Sequence, residues 1–373
     1  MAISGTGQDL AVAATPEGSC VAAIPAFFFR RAIMTNKIFI TCGDVNGIGN
    51  ELILKTVRDN DNTAFFIVGN RRIFDLTSEI LGIKSPLVKN MDSSELIPRQ
   101  KIEPGIYFID IPVAGLKLEF GKPLPEAGLL AGTAIKTAVG LSLAHNSPIV
   151  TAPINKYSLH LGGFDYPGHT EFIAEILKSK DHLMILDGGV IRVALVTTHL
   201  ALSDVSGSVT ENGVFEKGRI LYLSLKNDYG IKEPEITVCS LNPHAGDGGL
   251  FGDEDEKKIK PAVRRLNEEI CRGCGIFTGP VPSDTAFTES FLNRSDAHLV
   301  MYHDQGLIPL KLLSFGKAIN FTAGLPIVRT SPDHGTAYDI AGKNIAATES
   351  FKKAVEKAVF FSNNRLFKAI REP

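Results

Sequence analysis

Short apolar runs that each break into a polar turn and then a helical pattern constrain this chain more than any other feature. Residues 37–42, KIFITC, lead into GDVNGIGNE and the helical pattern LILKTVRDN, and residues 64–69, AFFIVG, lead into RRIFDLTSEILG. A run of about six residues that is apolar throughout reads as a strand covered on both faces, and strands of that kind joined by helices make parallel sheets. The alternation therefore predicts an α/β fold with a largely parallel sheet. Further strands are expected in IYFIDI at 106–111, PIVTAP at 148–153, IRVALVT at 191–197, ITVCSL at 236–241 and AHLVM at 297–301. Amphipathic helices are expected over 127–145 and 350–370.

Composition narrows what such a fold can do. At 373 residues, 44% hydrophobic and 21% charged, the chain can bury a large core. A net charge of -2 argues against nucleic acid as a partner, because phosphate backbones call for a basic surface. No apolar run looks long enough to span a bilayer, so no membrane association is expected. Five scattered cysteines do not make a disulfide framework, which places the protein in a reducing cytoplasm; Cys271 and Cys274 form an isolated C-x-x-C read as two incidental thiols. Residues 1–33 differ in character from the rest and read as a disordered leader or a start-site artefact, with folding expected to begin at Met34.

Chemistry gathers where strands end. The stretch 302–346 sets His303, Asp304, Lys311, Arg329, His334 and Asp339 among glycines and short apolar segments, the composition of binding loops held by a scaffold. Three strands each run out into a histidine: 191–197 into His199, 236–241 into His244 and 297–301 into His303. Parallel strands would bring the three imidazoles to one edge of the sheet, where they could hold a divalent metal and leave positions open for substrate. Gly168-His169-Thr170-Glu171 sits just before a helix, with Thr170 readable either as an N-cap or as a ligand contact. The turn GDVNGIGNE is suited to a neutral part of a ligand rather than a phosphate, since Asp44 and Glu51 would repel an anion. The acidic-then-basic run at 253–260 reads as a solvated helix start, and Asp284 as an N-cap or a carboxylate near the metal.

Taken together and in order, GDVNGIGNE, TAPINK, GHTE, TTH, LNPHAG, GPVPSDTAF, YHDQG, GLPIVRTSPDHGTA and DIAGK resemble the 4-hydroxythreonine-4-phosphate dehydrogenase family, PdxA. The resemblance runs from about residue 40 to about residue 346. It implies a two-lobed α/β/α sandwich of the isocitrate and isopropylmalate dehydrogenase type, with the active site in the interlobe cleft at a homodimer interface. The lobes would comprise 34–140 with 306–373, and 141–305. It implies NAD-dependent, metal-assisted oxidation of 4-phosphooxy-L-threonine to 2-amino-3-oxo-4-phosphooxybutanoate, which loses CO2 to give 3-amino-2-oxopropyl phosphate for pyridoxine and pyridoxal phosphate synthesis.

By that resemblance His199, His244 and His303 are the ligands of one divalent metal, zinc, cobalt or magnesium. His169, Thr170, Lys311, Asn320 and Arg329 contact the substrate, and His334, Gly335 and Asp339 contact the adenosine of NAD. A carboxylate at Asp339 would repel a 2′-phosphate and so favour NAD over NADP. The proton acceptor is open among Asp304, Asp284, Lys156 and a hydroxide on the metal. The turn departs from the family's commoner GDPAGIGPE at Val45, Asn46 and Asn50. Competing readings are a paralogue acting on 4-phospho-D-threonate or 4-phospho-D-erythronate, a metal-dependent hydrolase, and a non-catalytic metal-binding protein.

Overall fold

The computed structural model describes residues 37–57, 63–86, 88–97, 102–270 and 276–371. The expected leader at 1–33 and Cys20, Cys271 and Cys274 lie outside the described residues. Among the described residues twelve strands form one sheet: β1 Lys37–Thr41, β2 Ala64–Gly69, β3 Val88–Asn90, β4 Gly105–Asp110, β5 Ile149–Thr151, β6 Leu183–Asp187, β7 Arg192–Leu195, β8 Ile236–Cys239, β9 Phe277–Val281, β10 Ala297–Val300, β11 Ile319–Ala323 and β12 Arg329–Pro332. Their order is β3-β4-β2-β1-β5-β12-β11-β6-β7-β10-β8-β9. The pairings are parallel except where β11 meets β12 and β6, and where β6 meets β7. The α/β fold and the mostly parallel sheet agree with the sequence, while this antiparallel centre is an addition to it.

The central strands alternate sharply between their faces, because successive strand residues point to opposite sides. Asn320 stands opposite Ser331, and Thr322 opposite Met184, so these residues share a face with Arg329 and with Thr151 of β5. Thr330 and Phe321 point the other way. There the helix Glu349–Arg371 covers them: the Thr330 hydroxyl donates to the Ala354 carbonyl at 2.7 Å, and the Phe321 and Phe361 rings lie 4.4 Å apart. One face of the middle of the sheet is thus apolar core, and the other is polar and lines a cavity.

The helix Pro125–His145 departs from expectation. Rather than strongly amphipathic, it is apolar almost all round, with mean hydropathy 1.4, and by length and composition alone it could cross a bilayer. Here Leu130, Ala134, Ile135, Ala138 and Val139 pack into a core cluster with Phe39 and Phe66. Its small residues admit close neighbours: a Cβ on Gly128 would sit 1.7 Å from the Ser158 carbonyl oxygen, so only glycine lets the following helix pack there.

The turn at residues 43–49 also departs from its reading as a ligand contact. It is buried, and it holds other loops instead. Gly43 has φ +66°, with the Pro153 carbonyl only 2.3 Å from where a Cβ would stand. Asp44 accepts from the Tyr338 hydroxyl at 2.8 Å. Asn46, one of the departures from the family pattern, accepts from Glu119 N at 2.8 Å and donates to the Lys122 carbonyl at 2.9 Å. Glu51 accepts from Ala346 N at 2.8 Å and from Lys55 Nζ at 2.7 Å. The two carboxylates set aside as anion repellents are therefore the latches that hold the loop 333–346 against the sheet.

Candidate active site

The polar face of β5, β12, β11 and β6 forms the floor of a cavity of about 420 Å³, whose wall includes Lys156, His169, Thr170, Glu171, His199, Lys311, Asn320, Asp333, His334 and Gly335. At its base lies Arg329, 2% exposed. Its guanidinium donates to Thr151 Oγ1 at 2.8 and 3.2 Å and to Thr322 Oγ1 at 3.1 Å, and no carboxylate bonds it among the described residues. Burial pulls its pKa down to about 10, with the charge of Glu171 acting the other way. A buried cation satisfied only by hydroxyls is costly, and an anionic ligand with oxygens for its fork would relieve that cost.

Three buried polar atoms on the cavity wall have no hydrogen-bond partner among the described residues: His169 Nε2, Asn320 Oδ1 and His334 Nε2. Buried polar groups are normally satisfied, so a cluster of exceptions around one cavity marks where a ligand belongs. Two larger surface depressions of about 640 Å³ each lie elsewhere, one beside Arg219 and Arg365 and one beside Lys226 and Arg294. Neither is lined by an orphaned atom.

His169 and Thr170 begin the helix His169–Ile176, whose N-cap is Gly168. The capping alternative for Thr170 is thereby removed, and the buried threonine lines the cavity. Burial first, then the charge of Arg329, holds the His169 imidazole well below its ordinary pKa, so it stays neutral. Asp333, absent from the sequence-based candidates, is a half-buried carboxylate; burial raises its pKa against the pull of Lys311, His334 and His303. In the sequence it reads as an ordinary turn residue after a proline, and only its surroundings single it out.

Two of the three strand-end histidines meet. The His199 and His303 rings lie 5.6 Å apart between centroids, as expected from the parallel neighbours β7 and β10. Burial, then the charges of Lys156 and His303, lowers the pKa of His199 and favours the neutral form a metal requires. His303 Nδ1 bonds Asp304 Oδ1 at 2.7 Å, which leaves Nε2 free in the arrangement common to metal-bound histidines. Asp304 is therefore placed to orient His303.

His244 does not join them within one chain: among the described residues no group of three His, Cys, Asp or Glu side chains is positioned to hold a metal. It is exposed, in a loop where His244, Ala245, Gly246, Asp247 and Gly248 all have positive φ, at 53°, 54°, 82°, 42° and 65°. That left-handed course is costly for residues with side chains. The acidic run read as solvated supports it: buried Asp255 accepts from Leu241 N at 2.8 Å and Asn242 N at 2.9 Å. Glu254 accepts from Asn242 Nδ2 at 2.8 Å and from the Ser206 hydroxyl at 2.5 Å, which brings its pKa to about 2.

The remaining expected residues divide. His334 and Gly335 line the cavity, and a Cβ at Gly335 would meet nothing within 4 Å. Asp339 is exposed and lies outside the cavity wall. Asp284 is exposed on the helix Ser283–Ala286, whose N-cap is Pro282, so it is neither the cap nor part of the cavity wall. Of the proton-acceptor candidates only Lys156 lines the cavity.

The model of the pyridoxal phosphate biosynthetic protein PdxA matches residues 61–358. The chain belongs to the PdxA family. A 4-hydroxythreonine-4-phosphate dehydrogenase of Bacteroides thetaiotaomicron is 40% identical over 90% of this chain and 91% of its own. A protein of Oceanobacillus iheyensis, provisionally named a D-threonate 4-phosphate dehydrogenase, is 36% identical over 86% of this chain and 96% of its own. The solved 4-hydroxythreonine-4-phosphate dehydrogenase of Klebsiella pneumoniae aligns with TM-score 0.77 and 35% identity, covering 88% of this chain and 99% of that one. The chain is accordingly an oxidoreductase of pyridoxal phosphate biosynthesis.

Proposed function

We propose that this enzyme oxidises 4-phosphooxy-L-threonine with NAD, aided by a divalent metal, to 2-amino-3-oxo-4-phosphooxybutanoate, which decarboxylates to 3-amino-2-oxopropyl phosphate. The observation that carries the proposal is the buried, carboxylate-free guanidinium of Arg329 in the same cavity as His199, next to the His199–His303 pair. An anion holder beside a pair of imidazoles suits a phosphorylated secondary alcohol.

Arg329 and Lys311 supply charge to the phosphate, and the amide of Asn320 can turn N–H₂ toward it. His169 and Thr170, on the first turn of their helix, bind the remaining polar groups of the substrate. Lys156, the proton-acceptor candidate on the cavity wall, would take the C3 hydroxyl proton once it is in its neutral amine form. His334 and Gly335 leave room at the cavity mouth for the cofactor, and Asp339 faces its ribose and disfavours a 2′-phosphate. When bound, the metal polarises the C3 oxygen, which eases both the oxidation and the later loss of the C1 carboxylate as CO2. Imidazole donors favour zinc or cobalt over magnesium.

The third imidazole comes, in this proposal, from His244 of a second copy, making a homodimer with shared sites. Large apolar side chains follow the same three strands into solvent: Leu200 and Leu202 after β7, Leu250 and Phe251 after β8, and Ile308, Leu312 and Phe315 after β10. Leu250 is 79% and Leu202 75% exposed, and large apolar side chains left in solvent just past these strands suit a partner surface. The reversal of strand direction across β11, β6 and β7 supports a two-lobed arrangement of the isocitrate dehydrogenase type, but β5, between β1 and β12, then belongs with the first lobe rather than with 141–305. Free, buried Cys42 and Cys239, with pKa pushed up to about 12, suit a reducing cytoplasm.

The relative from Oceanobacillus iheyensis favours a second reading, oxidation of 4-phospho-D-threonate. NADH formation by the purified protein with each substrate, before and after chelation and metal add-back, separates them. Metal-restored turnover of the amino acid is expected; turnover of the hydroxy acid alone would replace the proposed substrate.

A further inference from the structure

Glu171 is a carboxylate in a cavity built for anions, and that mismatch calls for a cation. The cavity wall carries two carboxylates, Glu171 and Asp333. Asp333 is already faced by Lys311, His334 and His303. Glu171 forms no hydrogen bond or ion pair among the described residues, yet its charge reaches Arg329 at the floor and His199 at the metal end. It lines the same cavity as Arg329, which would hold the phosphate, and His199, which would help hold the metal, and its charge acts on both.

We propose that Glu171 recognises the α-ammonium of the substrate and is the residue by which this enzyme selects an amino acid over the corresponding hydroxy acid. The inference rests on the proposed function. In that substrate the ammonium sits on the carbon next to the one being oxidised, so it must lie close to the metal end wherever the phosphate is fixed. A carboxylate there would gain a charge-assisted hydrogen bond from an ammonium and only a neutral one from a hydroxyl. His169 and Thr170 precede Glu171 on the same helical turn, so one short segment, GHTE, would hold neighbouring groups of the ligand.

Glu171 also has a purely structural use open to it. It is the third residue of a helix whose N-cap, Gly168, has no side chain, and its Oε2 lies 3.3 Å from where a Gly168 Cβ would stand. A glutamate at this position can reach back to the cap backbone. Glutamine can do the same without charge, which makes Glu171→Gln the decisive variant.

The test compares kcat/KM of wild type and E171Q on 4-phosphooxy-L-threonine and on 4-phospho-D-threonate, with thermal unfolding of both proteins. E171Q is expected to lose about tenfold to a hundredfold on the amino acid, mainly through KM, as fits loss of a charged hydrogen bond. Its activity on the hydroxy acid should be unchanged or raised, and its melting temperature unchanged. Equal losses on both substrates, or no loss on either, would overturn the inference while wild-type turnover of the amino acid left the proposed function standing. A wild type that turns over only the hydroxy acid would overturn both.

Discussion

Replacing Arg329 by methionine should separate stability from activity. The guanidinium is held at about 10 against an ordinary 12.5, a depression of 12.5 − 10 = 2.5, which at about 1.4 kcal/mol each disfavours the buried charge by about 3 kcal/mol. Below the depressed value arginine is charged in both folded and unfolded chains, so that cost is fully present at neutral pH. Methionine removes it, and also removes the three bonds to Thr151 and Thr322, worth about 1 kcal/mol each. The two effects nearly cancel, and thermal unfolding should show a melting temperature within a few degrees of wild type. Activity should not be spared: losing a buried, hydrogen-bonded charge partner costs about 2–5 kcal/mol, or roughly thirtyfold to several thousandfold in kcat/KM. Inorganic phosphate should raise the melting temperature of wild type and leave that of the variant unchanged. A variant that melts much lower yet keeps most of its kcat/KM would show that Arg329 serves the fold and not the ligand.

Asp304→Asn should leave the fold intact and weaken metal binding about tenfold to a hundredfold, as expected when the partner that orients a histidine ligand is lost; metal titration after chelation reads this directly, and undiminished affinity would refute the role. His169→Gln should flatten the acid side of the stability profile. His169 is depressed well below 6.5, so as pH falls below 6.5 the unfolded chain takes up a proton that the folded chain refuses. Stability is complete above 6.5 and is lost as pH drops toward the depressed folded value. His145, His182, His199 and His298 share the direction, so the variant should reduce the slope without abolishing it; melting temperatures measured across that range check it.

What the sequence could show was decided by the range of the interactions involved. KIFIT and AFFIVG became β1 and β2 because a strand covered on both faces is apolar at every position. The meeting of His199 and His303 followed from their strands being parallel neighbours, a rule of topology that local pattern carries. The partners of Asp44, Glu51 and Asp255 were not legible, since a carboxylate beside glycines or lysines shows nothing of the group it accepts from: Ala346 lies 295 residues from Glu51, and Leu241 lies 14 from Asp255. The helix Pro125–His145 hid its burial behind glycines and alanines that make close packing without a strong stripe. His244 obeyed its strand and still stood apart, because what it meets in this proposal belongs to another copy.

Mixing His244→Ala with His303→Ala tests most directly whether two copies build one site. Each variant alone should be inactive and dimeric, because every site lacks one imidazole. After joint refolding or coexpression, the whole preparation should recover about a quarter of wild-type NADH formation, since about half the dimers are mixed and each of those carries one intact site of two. No recovery in dimers shown to contain both variants would contradict the shared site.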